Sequence, residues 1–200
     1  MPQISRRLAL AAPLTLALAA RLHAAETIGT TLELTGSGRL IRDGRQQPLA
    51  IGMGLAEGDT IRIGQKALAL LMLNTDTRIN MGPETELVLA RYLADAGGSI
   101  TLGGAIVFDR PEGRPPLDLT IQTEFGAIGV RGTRFFFGPS KGRISVFVDR
   151  GTVAVTNAGV TRSLHGGDGV DLAAGQPPGD VARWKAARIA SAFALVGLAP

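Results

Sequence analysis

Apolar and polar residues alternate over short stretches from residue 26 onward, and glycine-containing turns separate these stretches. In residues 27–34 and 60–63, apolar side chains recur at a spacing of two. Successive side chains of a strand point to opposite faces of a sheet, so this spacing indicates strands with one buried face. The chain has 27 glycines, and the turns that contain them recur at intervals of roughly 8–12 residues, as in sandwiches, barrels and solenoids. The pattern predicts an all-β fold, either an irregular β-solenoid or a β-sandwich-like domain.

Two segments support more local predictions. Asp43-Gly44 lies between two β-rich stretches, and an Asp-Gly pair is a strong signal for a two-residue hairpin turn. The run over residues 67–73 is apolar throughout and lies between Gly64 and Asn74. Because it is short and bounded by turn residues, it fits a buried strand better than a buried helix.

The C-terminal tail differs from the β-rich body. Val181, Trp184 and Ile189 fall near helical spacing, and Asp180 is a suitable N-cap for a helix. We therefore divide the chain into a β domain over residues 26–175 and a linker with a C-terminal helix over 176–200. This helix either covers the open end of the β domain or binds a partner or a membrane interface.

The first 25 residues resemble a secretory signal peptide. Arg6 and Arg7 precede an apolar run over residues 8–20, and the small residues Ala24 and Ala25 follow it. The run is shorter than a membrane-spanning helix, which needs about 20 apolar residues. The alternative is a buried N-terminal helix of the fold. We expect residues 1–25 to be removed on export, leaving the protein periplasmic or secreted.

The export route has two candidates. Ser5-Arg6-Arg7-Leu8-Ala9-Leu10 resembles a twin-arginine signal, which carries proteins that have already folded. The general secretion route also accepts a start with two basic residues, so both routes stay open.

Charge and cysteine content narrow the function classes. Removing Arg6, Arg7 and Arg21 from the 21 basic residues leaves 18 against 17 acidic residues, and no basic cluster is visible. Nucleic-acid binding is therefore not expected. The chain has no cysteine, which excludes disulfides and a lipid anchor on a cysteine.

Five segments, taken in order, resemble the FecR protein domain. The most specific is residues 121–135, which contains Val130-Arg131-Gly132-Thr133-Arg134-Phe135, where family members carry V-R-G-T-x-F. The others are residues 52–64 with Gly58-Asp59, residues 68–81, residues 100–106 and residues 146–155. Residues 124–127 depart from the pattern, because Glu-Phe-Gly-Ala stands where many members have Pro-x-Ala. The resemblance covers about residues 31–171.

The resemblance implies a module of the bacterial cell envelope. The family's founding members are inner-membrane regulators with a cytoplasmic anti-sigma helix bundle, one transmembrane helix and a periplasmic part that senses a siderophore receptor. We expect this chain to be a stand-alone secreted member without the bundle, the spanning helix or a second C-terminal subdomain. A role in iron-uptake signalling rests on the analogy alone.

Candidate catalytic groups are few. His165 and Asp168 with Ser163 contain the residue types of a hydrolytic triad, but a polar turn explains them more simply. One histidine after residue 25 and no cysteine argue against zinc, and the aspartates lack calcium-loop spacing. The nearest carboxylate pairs for glycan hydrolysis are Glu84 with Glu86 and Asp109 with Glu112. We expect no cofactor and no enzymatic activity.

The FecR-like segment over residues 121–135 supplies most of the candidate interaction residues. These are Val130, Arg131, Gly132, Thr133, Phe135 and Phe136. Arg131 either pairs with Asp149 or Glu124 to fix a turn, or presents its guanidinium to a partner's carboxylate.

The neighbouring residues raise two further expectations. Gly132 is expected where a side chain has no room. Alternation places Phe136 on the face opposite Phe135 and Phe137, where it is either exposed for binding or covered.

These observations favour a non-enzymatic interaction, scaffold or signalling-accessory module that binds an envelope protein by strand addition or side-chain docking. The alternative is a protein that binds or acts on envelope glycans, and a surface polymer is the corresponding partner. We expect no stable membrane span. The oligomeric state stays open.

Overall fold

The computed structural model describes residues 26–74, 76–93, 97–114 and 117–199, so the predicted export signal lies outside the described residues. Within this part, sixteen strands precede one helix, α1 (Ala186–Ala194). The strands are β1 (Thr27–Thr35), β2 (Gly38–Arg42), β3 (Arg45–Pro48), β4 (Gly54–Ala56), β5 (Thr60–Ile63), β6 (Leu68–Leu73), β7 (Thr77–Met81), β8 (Glu86–Leu93), β9 (Gly97–Gly103), β10 (Ile106–Asp109), β11 (Leu119–Thr123), β12 (Gly126–Ser140), β13 (Arg143–Asn157), β14 (Val160–His165), β15 (Asp168–Leu172) and β16 (Ala182–Arg183). The all-β class and the C-terminal helix are confirmed.

The strands form one connected, curled sheet in the order β3-β2-β5-β8-β9-β11-β12-β10-β7-β6-β1-β4. Strand β13 pairs with β12, β14 and β15, and β16 pairs with β15. Among the described residues, the pairings are antiparallel except that of β9 with β11. This single curled sheet resembles half of a barrel, and its mostly antiparallel pairing differs from that of a solenoid, in which stacked turns pair in parallel.

Both local predictions hold. Strands β2 and β3 form a hairpin whose central residues, Asp43 and Gly44, have φ values of 50° and 72°. A type I′ turn requires positive φ at both positions, which Asp and Gly tolerate. Strand β6 lies within the apolar run, and Ala69, Leu71 and Leu73 on its inner face are buried.

The inner face of the curled sheet encloses the main core. It contains aliphatic residues from nearly every strand, together with Phe108, Phe135 and Phe137. Phe108 and Phe135 stack with ring centroids 5.5 Å apart. Burial of this apolar surface is the main stabilising term, since the chain has no cysteine for disulfides.

A buried carboxylate fixes the turn before β5. The Asp59 side chain is fully buried and accepts a 2.7 Å hydrogen bond from the Ala56 backbone N–H. Arg42 donates two more, from Nε at 2.7 Å and from Nη2 at 2.6 Å. This hydrogen bonding outweighs desolvation and raises the pKa of Arg42 above its ordinary value. The Gly-Asp element of the FecR-like pattern is therefore structural here.

The C-terminal helix begins later than predicted. Lys185, not Asp180, occupies the N-cap position of α1, and its side chain makes no capping hydrogen bond. The chain first adds the short strand β16 to β15 and buries Trp184 before it becomes helical. Within the described residues, no helix is long and apolar enough to cross a membrane.

Candidate functional site

The long hairpin β12–β13 bends in the middle, at the FecR-like motif. Arg131 is opposite Thr152, but the next paired residue, Arg134, is opposite Arg150. Two residues of β12 thus face one residue of β13, and Asp149 is the extra residue on β13 immediately beyond. These are bulges, which bend a strand and increase its twist. The motif therefore marks the point where the hairpin changes direction.

Two glycines make the bend possible. Gly132 has φ +63°, and a Cβ built on it would meet no atom within 4 Å. The expected lack of room at Gly132 is therefore wrong, and its backbone conformation is what favours glycine. Gly151, opposite, has φ +86°, and its Cβ would lie 2.7 Å from Cγ2 of Thr133. Gly151 is thus restricted both by its positive φ and by the lack of room for a Cβ.

The bend divides the hairpin into two halves with different outer faces. We call residues 126–131 with 152–157 the open half, and residues 134–140 with 143–148 the covered half. In the open half, the outward side chains of Ala127, Ala154 and Thr156 are partly exposed, as is Gly129. In the covered half, Phe136 and Phe147 are buried beneath α1 and Trp184.

The candidate interaction residues fall on both sides of this division. Val130, Thr133 and Phe135 are buried, as is Phe136. Of the two alternatives for Phe136, the covered one holds, because α1 supplies Phe193 to the same cluster. Arg131 is exposed and Gly132 is half-buried, so they are the members of the set that reach solvent.

Arg131 does not fix the bend by an ion pair. Among the described residues it has no carboxylate partner within 4.0 Å, and Asp149 instead lies 3.4 Å from Nη1 of Arg134. Arg131 heads an outward row of exposed residues that continues through Thr152 to His165. Thr152 Oγ1 and His165 Nδ1 are 3.2 Å apart. The guanidinium is thus available for an external acceptor.

The open half belongs to a wider outward surface, which we call the open face. It extends over β9, β11, β12, β13 and β14, and its side chains are small and uncharged apart from the Arg131 row. The hydroxyl- and amide-bearing members are Ser99, Thr101, Thr120, Gln122, Thr156, Thr161 and Ser163. Such a face has donors and acceptors but little apolar area, so α1 would gain little by covering it.

Arg188 on α1 attaches the helix and Trp184, which together we call the cover, to the sheet. Arg188 Nη2 donates to Asp171 Oδ1 at 2.5 Å and to Ser145 Oγ at 3.0 Å, and Nε donates to Ser140 Oγ at 2.9 Å. Its guanidinium also lies 3.7 Å from the centre of the Trp184 ring. Charged hydrogen bonds and a cation–π contact thus act on the same group.

The same network sets the charge state of Asp171. Burial is the largest influence and acts to raise its pKa, but the hydrogen bonds from Arg188 and Ser145, together with the positive charges of Arg188 and Arg143, outweigh burial and hold the pKa below its ordinary value. The carboxylate therefore stays ionised at neutral pH.

The Trp184 ring packs directly against Gly169. A Cβ at this position would be 2.0 Å from the indole Nε1, so the ring can pack here because residue 169 is a glycine.

The candidate catalytic residues form a turn. Asp168 Oδ2 accepts a hydrogen bond from the His165 backbone N–H at 2.9 Å, whereas a triad needs its acid on the imidazole. Asp109 and Glu112 both lie near Arg150, and Glu86 pairs with Arg62. In the described part of the chain, no group of three or more His, Asp or Glu could hold a metal ion.

Residues 59–154 match the family model described as FecR protein. Residues 59–154 of this chain thus form a FecR domain. The match lies inside the range of the sequence resemblance and includes both glycines of the bend. Trp184 and α1 lie outside it.

Two solved structures of a candidate anti-sigma factor from Parabacteroides distasonis ATCC 8503 are similar to this chain. Each is 17% identical, with TM-scores of 0.49 and 0.48. In both cases 63% of this chain is covered, and the chain spans 59% of the other's length. A comparison with curated proteins gives no match.

Sequence reasoning missed the residues that attach α1 and Trp184 to the covered half. Arg188, Asp171 and Gly169 carried no recognisable motif, and their meeting depends on α1 returning to the sheet. The one available signal was the single tryptophan, Trp184, because a lone large aromatic residue near a chain end usually has a packing partner.

Proposed function

We propose that this chain is an exported, non-enzymatic FecR-domain protein that acts as a protein-interaction module in the bacterial cell envelope. The FecR family match supports a signalling-related module. The signal-like N-terminus supports export. The partner is an envelope protein that docks on the open face.

The observation that carries this proposal is the difference between the two sides of the bend. The covered half packs against α1, whereas the open half has an exposed outer face with an exposed arginine at its border. The open face keeps exposed polar side chains such as Thr161 and Ser163, and Arg131 at its border has no carboxylate partner among the described residues. An arginine fork can bind a carboxylate through two parallel hydrogen bonds, which gives a docking partner both orientation and register.

Capture of partners from a cell-envelope fraction tests the proposal. The mature chain, residues 26–200, serves as bait beside its Arg131→Ala variant, with mass spectrometry of the captured proteins. Arg45→Ala is the matched control, because Arg45 is an exposed arginine on the distant strand β3. We expect one envelope protein to be captured by the parent and by Arg45→Ala, and lost with Arg131→Ala. Equal capture by all three would reject the open face as the docking surface.

A glycan ligand is the second candidate, and the hydroxyl-bearing side chains of the open face favour it. Thr101, Gln122, Thr161 and Ser163 are exposed there and can exchange hydrogen bonds with sugar hydroxyls. Cosedimentation with purified peptidoglycan tests this function. Sedimentation that is lost in a Gln122→Ala, Thr161→Ala double variant would favour glycan binding, and an unbound chain would exclude peptidoglycan as the ligand.

A further inference from the structure

A cleft lies between α1 and the tip of the β12–β13 hairpin. Its volume is about 520 Å³, which is in the range of pockets that bind small ligands. Lys141 and Pro139 contribute from the hairpin, Arg188 and Ala192 contribute from the helix, and its N-cap Lys185 and C-cap Leu195 complete the lining named here. The cleft is on the covered half, away from the open face.

The cleft carries an excess of positive charge. Lys141, Lys185 and Arg188 line it, and no carboxylate does. Arg188 is neutralised by Asp171, but among the described residues neither lysine has a carboxylate within 4.0 Å. The whole chain has three lysines against 18 arginines, so two of its three lysines border this one cleft.

The hairpin tip presents its lysine from an unfavourable backbone position. Lys141 has φ +52° and is followed by Gly142 at φ +75°, the positive values of a type I′ turn. Asn, Asp or Gly is preferred at the first of these positions, as the Asp43-Gly44 turn of this chain illustrates. The turn places the exposed Lys141 side chain at the tip of the hairpin, where it lines the cleft.

The floor of the cleft is apolar. Ala192 is buried, Leu195 remains 39% exposed, and Pro139 closes the side towards the hairpin. A free inorganic anion would gain nothing from this floor, whereas a chain with acidic and apolar side chains would use both the floor and the lysines.

We propose that this cleft binds a short acidic peptide segment of a partner protein, with carboxylates at Lys141 and Lys185 and an apolar side chain on Leu195. The site is separate from the open face. The proposal therefore stands or falls independently of the Arg131 experiment.

Nuclear magnetic resonance of the three lysines tests this directly. Reductive methylation with ¹³C-formaldehyde keeps their charge and gives one signal per lysine, assigned by Lys→Arg variants. The probe is the peptide acetyl-Glu-Leu-Glu-Leu-amide, and acetyl-Gln-Leu-Gln-Leu-amide is its uncharged counterpart. We expect saturable shifts of Lys141 and Lys185 with the acidic peptide, while Lys66, outside the cleft, serves as an internal control.

Variants and competing probes complete the test. In isothermal titration calorimetry, Lys141→Glu with Lys185→Glu should weaken peptide binding at least tenfold, and Lys66→Glu should leave it within twofold, with circular dichroism confirming the fold. The proposal is overturned by equal shifts at all three lysines, by no shift, or by the same shifts with the uncharged peptide. Sodium phosphate producing the full effect, or a response to phosphatidylglycerol vesicles without one to peptide, would also overturn it.

Discussion

The two halves of the β12–β13 hairpin have the same secondary structure but different outer faces. In the covered half, Phe136 and Phe147 point outward and are buried under α1. In the open half, Gly129 and Ala154 occupy the corresponding outward positions and stay partly exposed. The difference shows that outward side-chain chemistry decides where the helix packs, since aromatic rings offer it apolar area and small residues do not.

The largest expected effect is the loss of an aromatic ring from the covered half. Phe136→Ala leaves a cavity between the sheet and α1, so we expect the free energy of unfolding to fall by about 3–5 kcal/mol. Thr161→Ala, on the exposed surface of the open half's neighbour β14, should change it by no more than about 0.5 kcal/mol. Urea unfolding measures both, and similar losses would contradict the division into halves.

The boundary between the halves can be probed at its two glycines. Gly151→Ala combines a positive φ with a contact of 2.7 Å to Thr133, so we expect a loss of about 2–4 kcal/mol. Gly132→Ala meets only the unfavourable φ and should cost about 1 kcal/mol. Urea midpoints at unchanged slope give the order. Equal losses would mean that crowding at Gly151 does not constrain the bend.

The attachment of α1 should depend on pH. The pKa of Asp171 is lowered in the folded state, so its stabilising contribution is present above the unfolded value near pH 4 and is lost as the pH falls through the folded value. Because Trp184 is the single tryptophan and stacks on Phe147, its fluorescence reports the covered half. We expect it to change during acid titration, at a higher pH in Arg188→Ala than in the parent.

The same arginine should contribute to stability at neutral pH. Arg188→Ala removes a partly buried ion pair and the contact with Trp184, which we expect to cost about 1–2 kcal/mol. Asp171→Asn should remove the part of the acid transition that Asp171 causes. A transition that is identical in Asp171→Asn and parent would show that other groups control the cover.

The smallest effect on stability is expected at Arg131. Its side chain is exposed and has no ion pair among the described residues, so Arg131→Ala should change the free energy of unfolding by less than about 0.5 kcal/mol. Thermal unfolding compared with Arg45→Ala measures this. A loss above 1 kcal/mol would indicate a structural role for Arg131.

Alternation and turn residues were sufficient to predict the strands but not the cover. The Asp43-Gly44 hairpin and the β6 strand follow from local rules, because neighbouring residues determine them. The burial of Phe136 depends on Phe193, which is 57 residues later in the chain, and no local pattern records that contact. The predicted N-cap at Asp180 failed for the same reason, since pairing of β16 with β15 takes precedence there.

For the FecR-like motif, the position could be predicted from the sequence, but the structural role could not. Its position was recognisable from Val130 to Phe135, and the family match confirms the FecR domain. Its role as a bend required the register, because bulges on two strands cannot be seen in one segment. Arg131 was singled out as a candidate from this segment, and its role in binding stays a prediction.

The measurement that tests the open face most directly is site-specific photo-crosslinking. The chain has no cysteine, so Ser163→Cys on the open face and Gln47→Cys on β3 each accept a single benzophenone label. After irradiation in a cell-envelope fraction, we predict one crosslinked envelope protein from Ser163→Cys, lost when Arg131→Ala is added, and none from Gln47→Cys. No adduct from Ser163→Cys, or the same adducts from both positions, would contradict the proposal that the open face is the docking surface.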